Sequence, residues 1–271
     1  MPQTINTNIP SLTAQRNLNS TQGSMQTALQ RLSSGLRINS ARDDAAGLAI
    51  AERMNGQVKG MNVAVRNAND AISMAQVAEG GLNEIGNMLQ RMRELAVQSA
   101  NGTNSTGDRA NLNAEFQALN TDIDRVGAVT KFNGMAILDA DAGDIVFQVG
   151  ANSGETLSVN TTNAATAATS TTADITSAAN ASTAIGTLDT AIDLVTTERA
   201  TLGAAQSQFT SAINNLQVGM ENQAAARGRI VDADFAVETA NMTRAQILQQ
   251  AGTAMVSQAN SAPQSVLSLL G

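Results

Sequence analysis

The side chains able to do chemistry in this sequence are few, and nearly all are carboxylates. Asp139, Asp141 and Asp144 superficially resemble a calcium loop, and Asp232 and Asp234, with Glu238 beyond, form a second acidic group. A calcium loop needs oxygen ligands at fixed intervals and a closing bidentate glutamate. Here Gly143 stands where a third ligand is needed and Gly150 replaces the glutamate, so the run reads as the approach to a hairpin. Around residues 232–238 nothing supplies a base, a nucleophile or a metal partner. Aspartate at a helix start accepts the orphan backbone N–H bonds there, so capping and connector roles are expected for this group, and helix-start caps for Asp43 and Asp44. Histidine and cysteine are both absent. That removes imidazole acid–base catalysis, Ser-His-Asp triads, HExxH zinc sites, thiolate chemistry and disulfides. The only lysines, Lys59 and Lys131, do not follow a glycine, and no phosphate-cradling loop exists. No catalytic residue, metal site or cofactor is expected.

With chemistry excluded, the weight falls on the elements. The 271 residues carry 16 basic and 23 acidic side chains, a net charge of −7, which does not present the basic footprint that nucleic acid or an anionic membrane surface requires. Trp and Tyr are missing and Phe numbers five, so the core must be packed from Ala, Leu, Ile, Val and Met. The N-terminus lacks the basic stretch and apolar run of a cleavable signal. No window approaches the roughly 18 uninterrupted apolar residues of a membrane span.

An apolar repeat of about 3.5 residues predicts long helices packed along narrow seams. From Met54 it runs through Val58, Met61, Val65, Ala68, Ile72 and Ala75, slips by two three-residue steps to Ala78, and resumes through Leu82, Ile85, Leu89, Met92 and Ala96. Local overwinding is expected at the slip. One helix over 44–100 would be about 85 Å long at 1.5 Å per residue. The turn formers of residues 101–107 separate it from a second seam, Leu112, Phe116, Leu119, Ile123 and Val126. A third seam runs from Ile185 to Met220, interrupted by Arg199 and Gln206, which mark register or partner choice in a coiled coil. Shorter seams occupy the ends: Leu18, Gln22, Met25, Leu29, Leu32 and Leu36, then Leu248, Ala251, Met255, Gln258 and Ala262. Each end alone buries too little to offset its ordering entropy, so both are expected to order on association. Between them, Ile145, Phe147 and Val149 alternate, and with Leu157 and Val159 they predict a β-hairpin over 144–160. Residues 160–183, almost wholly Thr, Ala, Ser and Asn, read as an exposed loop. The fold class is mainly α: long antiparallel helices in a coiled-coil bundle with one small β-hairpin. Such a chain associates rather than catalyses, and contacts between copies that do not close into a ring build filaments.

Five stretches carry a closer resemblance: Leu29 to Ile50 (LQRLSSGLRINSARDDAAGLAI), Leu89 to Asn101 (LQRMRELAVQSAN), Thr130 to Gly134 (TKFNG), Asn241 to Gly252 (NMTRAQILQQAG) and Ser265 to Gly271 (SVLSLLG). In this order and spacing they resemble bacterial flagellin over about 200 residues. The resemblance implies a flagellar filament subunit, exported unfolded through the flagellar type III gate, attended by an export chaperone, and polymerised between the hook-filament junction and the filament cap into an extracellular propeller. It implies that residues 1–43 and 232–271 form an inner coiled-coil domain and that residues 44–231 form an outer-tube domain. Leu29, Leu32, Leu36, Leu248 and Met255 would then serve inner-tube assembly. Val266, Leu267, Leu269 and Leu270 resemble a C-terminal patch covered by the chaperone and read by cytosolic host sensors, with inner-tube packing as its primary role. Arg91, Leu95 and Glu115 match the surface read by a flagellin-sensing Toll-like receptor, a surface also suited to axial filament contact. The short 160–183 segment replaces the outer domains of longer flagellins and implies a thin, smooth filament. A hook-filament junction protein and a chemoreceptor-type signalling coil are the competing readings.

Overall fold

The computed structural model describes residues 7–163 and 174–267, with side-chain surroundings as far as residue 261. Helix α1 (Ile9–Ser34) begins where the Asn8 side chain accepts from the Ser11 amide, with proline in its first turn, and ends at Gly35. At φ 71 Gly35 takes the left-handed conformation that a residue without Cβ adopts most easily, and its N–H donates to the Arg31 carbonyl. Two short backbone runs then clasp. Leu36 bridges Asp232, the Arg37 amide donates to the Val231 carbonyl at 2.6 Å, and the Ala233 amide donates to that of Gly35 at 2.9 Å.

Helix α2 (Ala45–Ala100) is one uninterrupted element of 56 residues. Asp44 is its cap, accepting from the Gly47 amide at 2.8 Å. Asp43, expected to share that role, does not: its Oδ2 accepts from the Asn39 and Ser40 amides at 3.1 and 2.9 Å and closes the preceding turn. One carboxylate suffices for the cap, and its neighbour points back toward other free amides. Helix α3 (Thr106–Val129) opens with a capping box in which Ser105 and Asp108 satisfy each other's amides. A tight pair of strands, β1 (Lys131–Phe132) and β2 (Met135–Ala136), turns at Asn133-Gly134, both at positive φ. This pair is an addition to the single hairpin expected. Strands β3 (Asp144–Gln148) and β4 (Thr156–Asn160) pair antiparallel with Asp144 opposite Asn160, the hairpin that the alternation predicted. Helix α4 (Ala178–Val231) and helix α5 (Phe235–Leu267) complete the described elements. Asp234 caps α5 by accepting from the Ala236 and Val237 amides.

The chain divides into two compact units, residues 1–56 with 222–271, and residues 57–221. The second unit holds the main core: Ile85, Leu89 and Met92 from α2, Phe116 and Ile123 from α3, and Leu188, Leu202 and Phe209 from α4. Where the α2 seam slips, burial widens to Ala71, Met74, Ala75 and Ala78, so alanines absorb the change of register. The β3–β4 hairpin docks through Phe147, whose ring meets Phe209 edge-on at 5.9 Å. Its loop lies so close to α2 that a Cβ on Gly60 would come within 2.9 Å of the Ala151 Cβ.

In the first unit α1 and α5 pair along their length. The pairing seam of α1 is Ser11, Ala14, Leu18, Thr21, Met25, Ala28 and Leu32, and that of α5 is Glu238, Met242, Ala245, Gln249, Gly252, Val256 and Ala259. Both step by four and three. Only part of the expected α1 seam is therefore turned inward, since Gln22 and Leu29 are exposed; of the expected α5 seam, Leu248, Ala251, Met255 and Gln258 lie outward, and the Ala262 side chain falls outside the described residues. Small residues on α5 let the larger ones of α1 approach: a Cβ on Gly252 would lie 3.0 Å from a methyl of Leu18.

Candidate functional site

The surface that this pairing leaves uncovered is the first feature of functional weight. On α1, Ile9, Leu12 and Leu29 are exposed; on α5, Phe235, Val237, Ile247, Leu248 and Met255 are 51–66% exposed. Phe235, Thr239, Ile247 and Leu248 line a shallow, mostly apolar groove along α5. A face of this kind, recurring at helical spacing, marks an interaction surface. Of the residues expected to serve assembly, Leu29, Leu248 and Met255 thus stand on the outward face, while Leu32 and Leu36 are half-buried. Val266 and Leu267 end the α5 backbone, and Leu269 and Leu270 lie outside the described residues.

The second feature is a set of ion pairs on the outer surface of the other unit. Arg91 reaches Glu115 on α3 through Nε and a terminal nitrogen at 2.9 and 2.8 Å, and Glu94 on its own helix at 2.9 Å. Hydrogen bonds donated to Glu94 first and Glu115 second raise the guanidinium pKa above its usual value. All three side chains remain about half exposed or more, so the cluster is a rigid charged platform more than a source of stability. Leu95 is not part of that platform's surface; it is 1% exposed and packs in the core beneath. On the other flank of α2, Arg93 pairs with Asp189 of α4 at 2.6 Å. No sequence pattern points to this pair, because its partners lie 96 residues apart.

Polar breaks in the seams do find partners. Gln206 donates to Glu79 at 3.2 Å, and Arg199 lies 3.9 Å from the same carboxylate. The signal was present in the sequence: Glu79 stands four residues after Ala75, where an unbroken seam would place an apolar residue. Among the described residues no group of three or more Asp or Glu is placed to hold a metal ion, and no helix is long and apolar enough to cross a membrane.

The helices that carry this uncovered face lie within the two regions that match a known family. Residues 5–142 match the bacterial flagellin N-terminal helical region, and residues 185–270 match the bacterial flagellin C-terminal helical region. The chain belongs to the bacterial flagellin family. It is 47% identical to a flagellin of Halalkalibacterium halodurans over 269 residues, covering 98% of this chain and 99% of that one. A flagellin of Xenorhabdus nematophila is 44% identical over 312 residues that span the whole of both chains. The crystal structure of Bacillus cereus flagellin superposes on 60% of this chain and 94% of its own, with 37% identity and a TM-score of 0.52. As a flagellin, the chain is a structural protein and not an enzyme, a subunit of the homopolymeric flagellar filament outside the cell. This flagellin is short and has no large outer domain.

Proposed function

We propose that residues 1–43 and 232–271 of this flagellin form the inner tube of the filament and that residues 44–231 form its outer tube, with the 144–160 hairpin and the short 160–183 segment toward the surface. The observation that carries this reading is the uncovered apolar face on α1 and α5: Leu29, Leu248 and Met255 recur at helical spacing, yet the chain's own helix pairing leaves them in solvent. Fully burying a side chain of that size contributes about 1.5–3 kcal/mol. A copy seated on this face offsets the entropy of ordering the ends, and the sum grows with every subunit added. Before assembly the same face needs a cover, and an export chaperone bound to α5 and the segment through Leu270 supplies it while the chain passes the type III export gate. The filament cap and the junction proteins then bound the growing polymer. The exposed Arg91–Glu115 platform is the part of the outer unit available to an innate immune receptor, and the same platform suits axial packing between copies, so that a receptor would read monomer rather than filament.

The test is electron microscopy of the purified chain grown on short filament seeds, beside a chain lacking residues 1–43 and 232–271. Long thin filaments from the first and none from the second are expected. A soluble dimer, a short capped stub, or filaments from the truncated chain would overturn the assignment. For the receptor surface, Arg91→Ala and Glu115→Ala should each weaken a cell-reporter response to monomer while the helical circular dichroism stays unchanged; an undiminished response would remove Arg91 and Glu115 from it.

A further inference from the structure

The seam between α1 and α5 raises a question of register. On a strict four-three repeat it alternates larger apolar residues, Leu18, Met25 and Leu32 on α1, with small or polar ones, so sliding one helix past the other by seven residues sets residues of similar size face to face again. Apolar packing alone discriminates poorly between such registers. Charge can discriminate. Helix α5 contains one carboxylate, Glu238, and α1 contains two cations, Arg16 and Arg31. Glu238 sits in the seam at 7% exposure and accepts from Arg31 at 3.0 Å, while Arg16 is exposed. At the other end of the pair, the Asn8 side chain donates to the Ala259 carbonyl and Ser11 donates to the Asn260 side chain, both at 2.7 Å.

We infer that the Arg31–Glu238 ion pair locks the register of the terminal helices, and through it the geometry of the surface on which another copy seats; this second step rests on the assembly reading above. A seven-residue slip would place Glu238 level with Ser24 or Ile38 instead of Arg31, leaving a carboxylate in the seam without a counter-charge, which is far costlier than breaking an exposed pair. The same slip would carry Leu12 and Leu29 past Leu248 and Met255 by about 10 Å, dismantling the outward face. Arg31 and Glu238 are thus positioning residues. Their role is to decide where the outward-facing residues stand.

The absence of native cysteine makes the register directly readable. A Cβ built on Gly252 lies 3.8 Å from the Leu18 Cβ, the separation a disulfide takes. Leu18→Cys with Gly252→Cys therefore reports the observed register, and Met25→Cys with Gly252→Cys reports a slip of seven. Both pairs are oxidised in the full-length soluble chain and in seeded filaments, and links within one chain are identified by non-reducing mobility and peptide mapping. With Arg31 and Glu238 intact, the 18–252 link should exceed the 25–252 link by more than about tenfold, and Glu238→Met should collapse that excess to within about twofold. Exchanging the charges, Arg31→Glu with Glu238→Arg, should restore it. The inference is overturned by an excess that survives Glu238→Met, by no excess in the native pair, or by an exchange that fails to restore it. Filament growth by the cysteine-free chain is scored separately, so failure of assembly and failure of the lock are told apart.

Discussion

At the scale of single residues, the carboxylates of this flagellin act as local clamps. Asp108 shows how. Hydrogen bonds from the Ser105 hydroxyl first and the Ser105 amide second hold its pKa below the ordinary 3.8. Because the folded value lies below the unfolded one, the stabilisation is complete above that ordinary value and is lost as pH falls through the lowered folded one. Amide exchange in the first turn of α3 should therefore quicken on acidification in that window, and Ser105→Ala should weaken the pH dependence by removing the largest cause of the shift. An unchanged profile in Ser105→Ala would show that the capping box does not hold the turn. Such clamps were partly legible in advance. Aspartate before a helical seam pointed to Asp44 as a cap and to Asp232, Asp234 and Glu238 together as caps or connectors, since capping is a local rule. The same rule misassigned Asp43, because whether a carboxylate faces forward to the helix or back to Asn39 and Ser40 is decided by the turn, which the sequence pattern does not specify.

At the scale of elements, periodicity found every described helix and the larger hairpin, and it failed where two faces of one helix are both periodic. Helix α5 carries an inward row that includes the small residues Ala245, Gly252 and Ala259 and an outward row that includes Leu248 and Met255. Hydropathy favours the larger row as the buried seam, but close approach favours the smaller, and the outward row is free to serve a second partner. The β1–β2 pair is not legible in the sequence because two-residue strands leave no alternation to read. Packing of the hairpin on the helices gives two expectations. Phe209→Ala removes a ring that is 1% exposed and in contact with Phe147, and should cost about 3–5 kcal/mol in denaturant unfolding of the full chain. Gly60→Val pushes a branched side chain into Ala151 across a 2.9 Å gap, and should cost about 1–3 kcal/mol. If Gly60→Val were neutral by the same measurement, the contact between Gly60 and the hairpin loop would be looser than described.

At the scale of the whole molecule, charge is divided unevenly. Residues 57–221 carry 8 basic and 17 acidic side chains, whereas residues 1–56 with 222–271 carry 8 and 6. The 57–221 unit, which lies within the proposed outer tube, therefore carries more negative charge than the chain's net −7, and the unit with the uncovered apolar face is slightly positive. Polymerisation brings like-charged outer units of many copies together, so self-repulsion opposes growth while apolar burial at the ends drives it. Salt separates the two effects, because the Debye length falls from about 30 Å at 0.01 M to about 8 Å at 0.15 M ionic strength, screening the repulsion while leaving burial of the Leu29, Leu248 and Met255 face intact. Elongation from seeds, followed by light scattering, should accelerate over that range. Replacing several exposed carboxylates of the outer unit, such as Asp70, Glu84 and Asp124, by their amides should raise the low-salt rate toward the high-salt one. Slower elongation with added salt would mean that attraction between opposite charges on neighbouring copies drives assembly, and the driving force would then have to be sought in the Arg91 and Arg93 platforms rather than in the terminal helices.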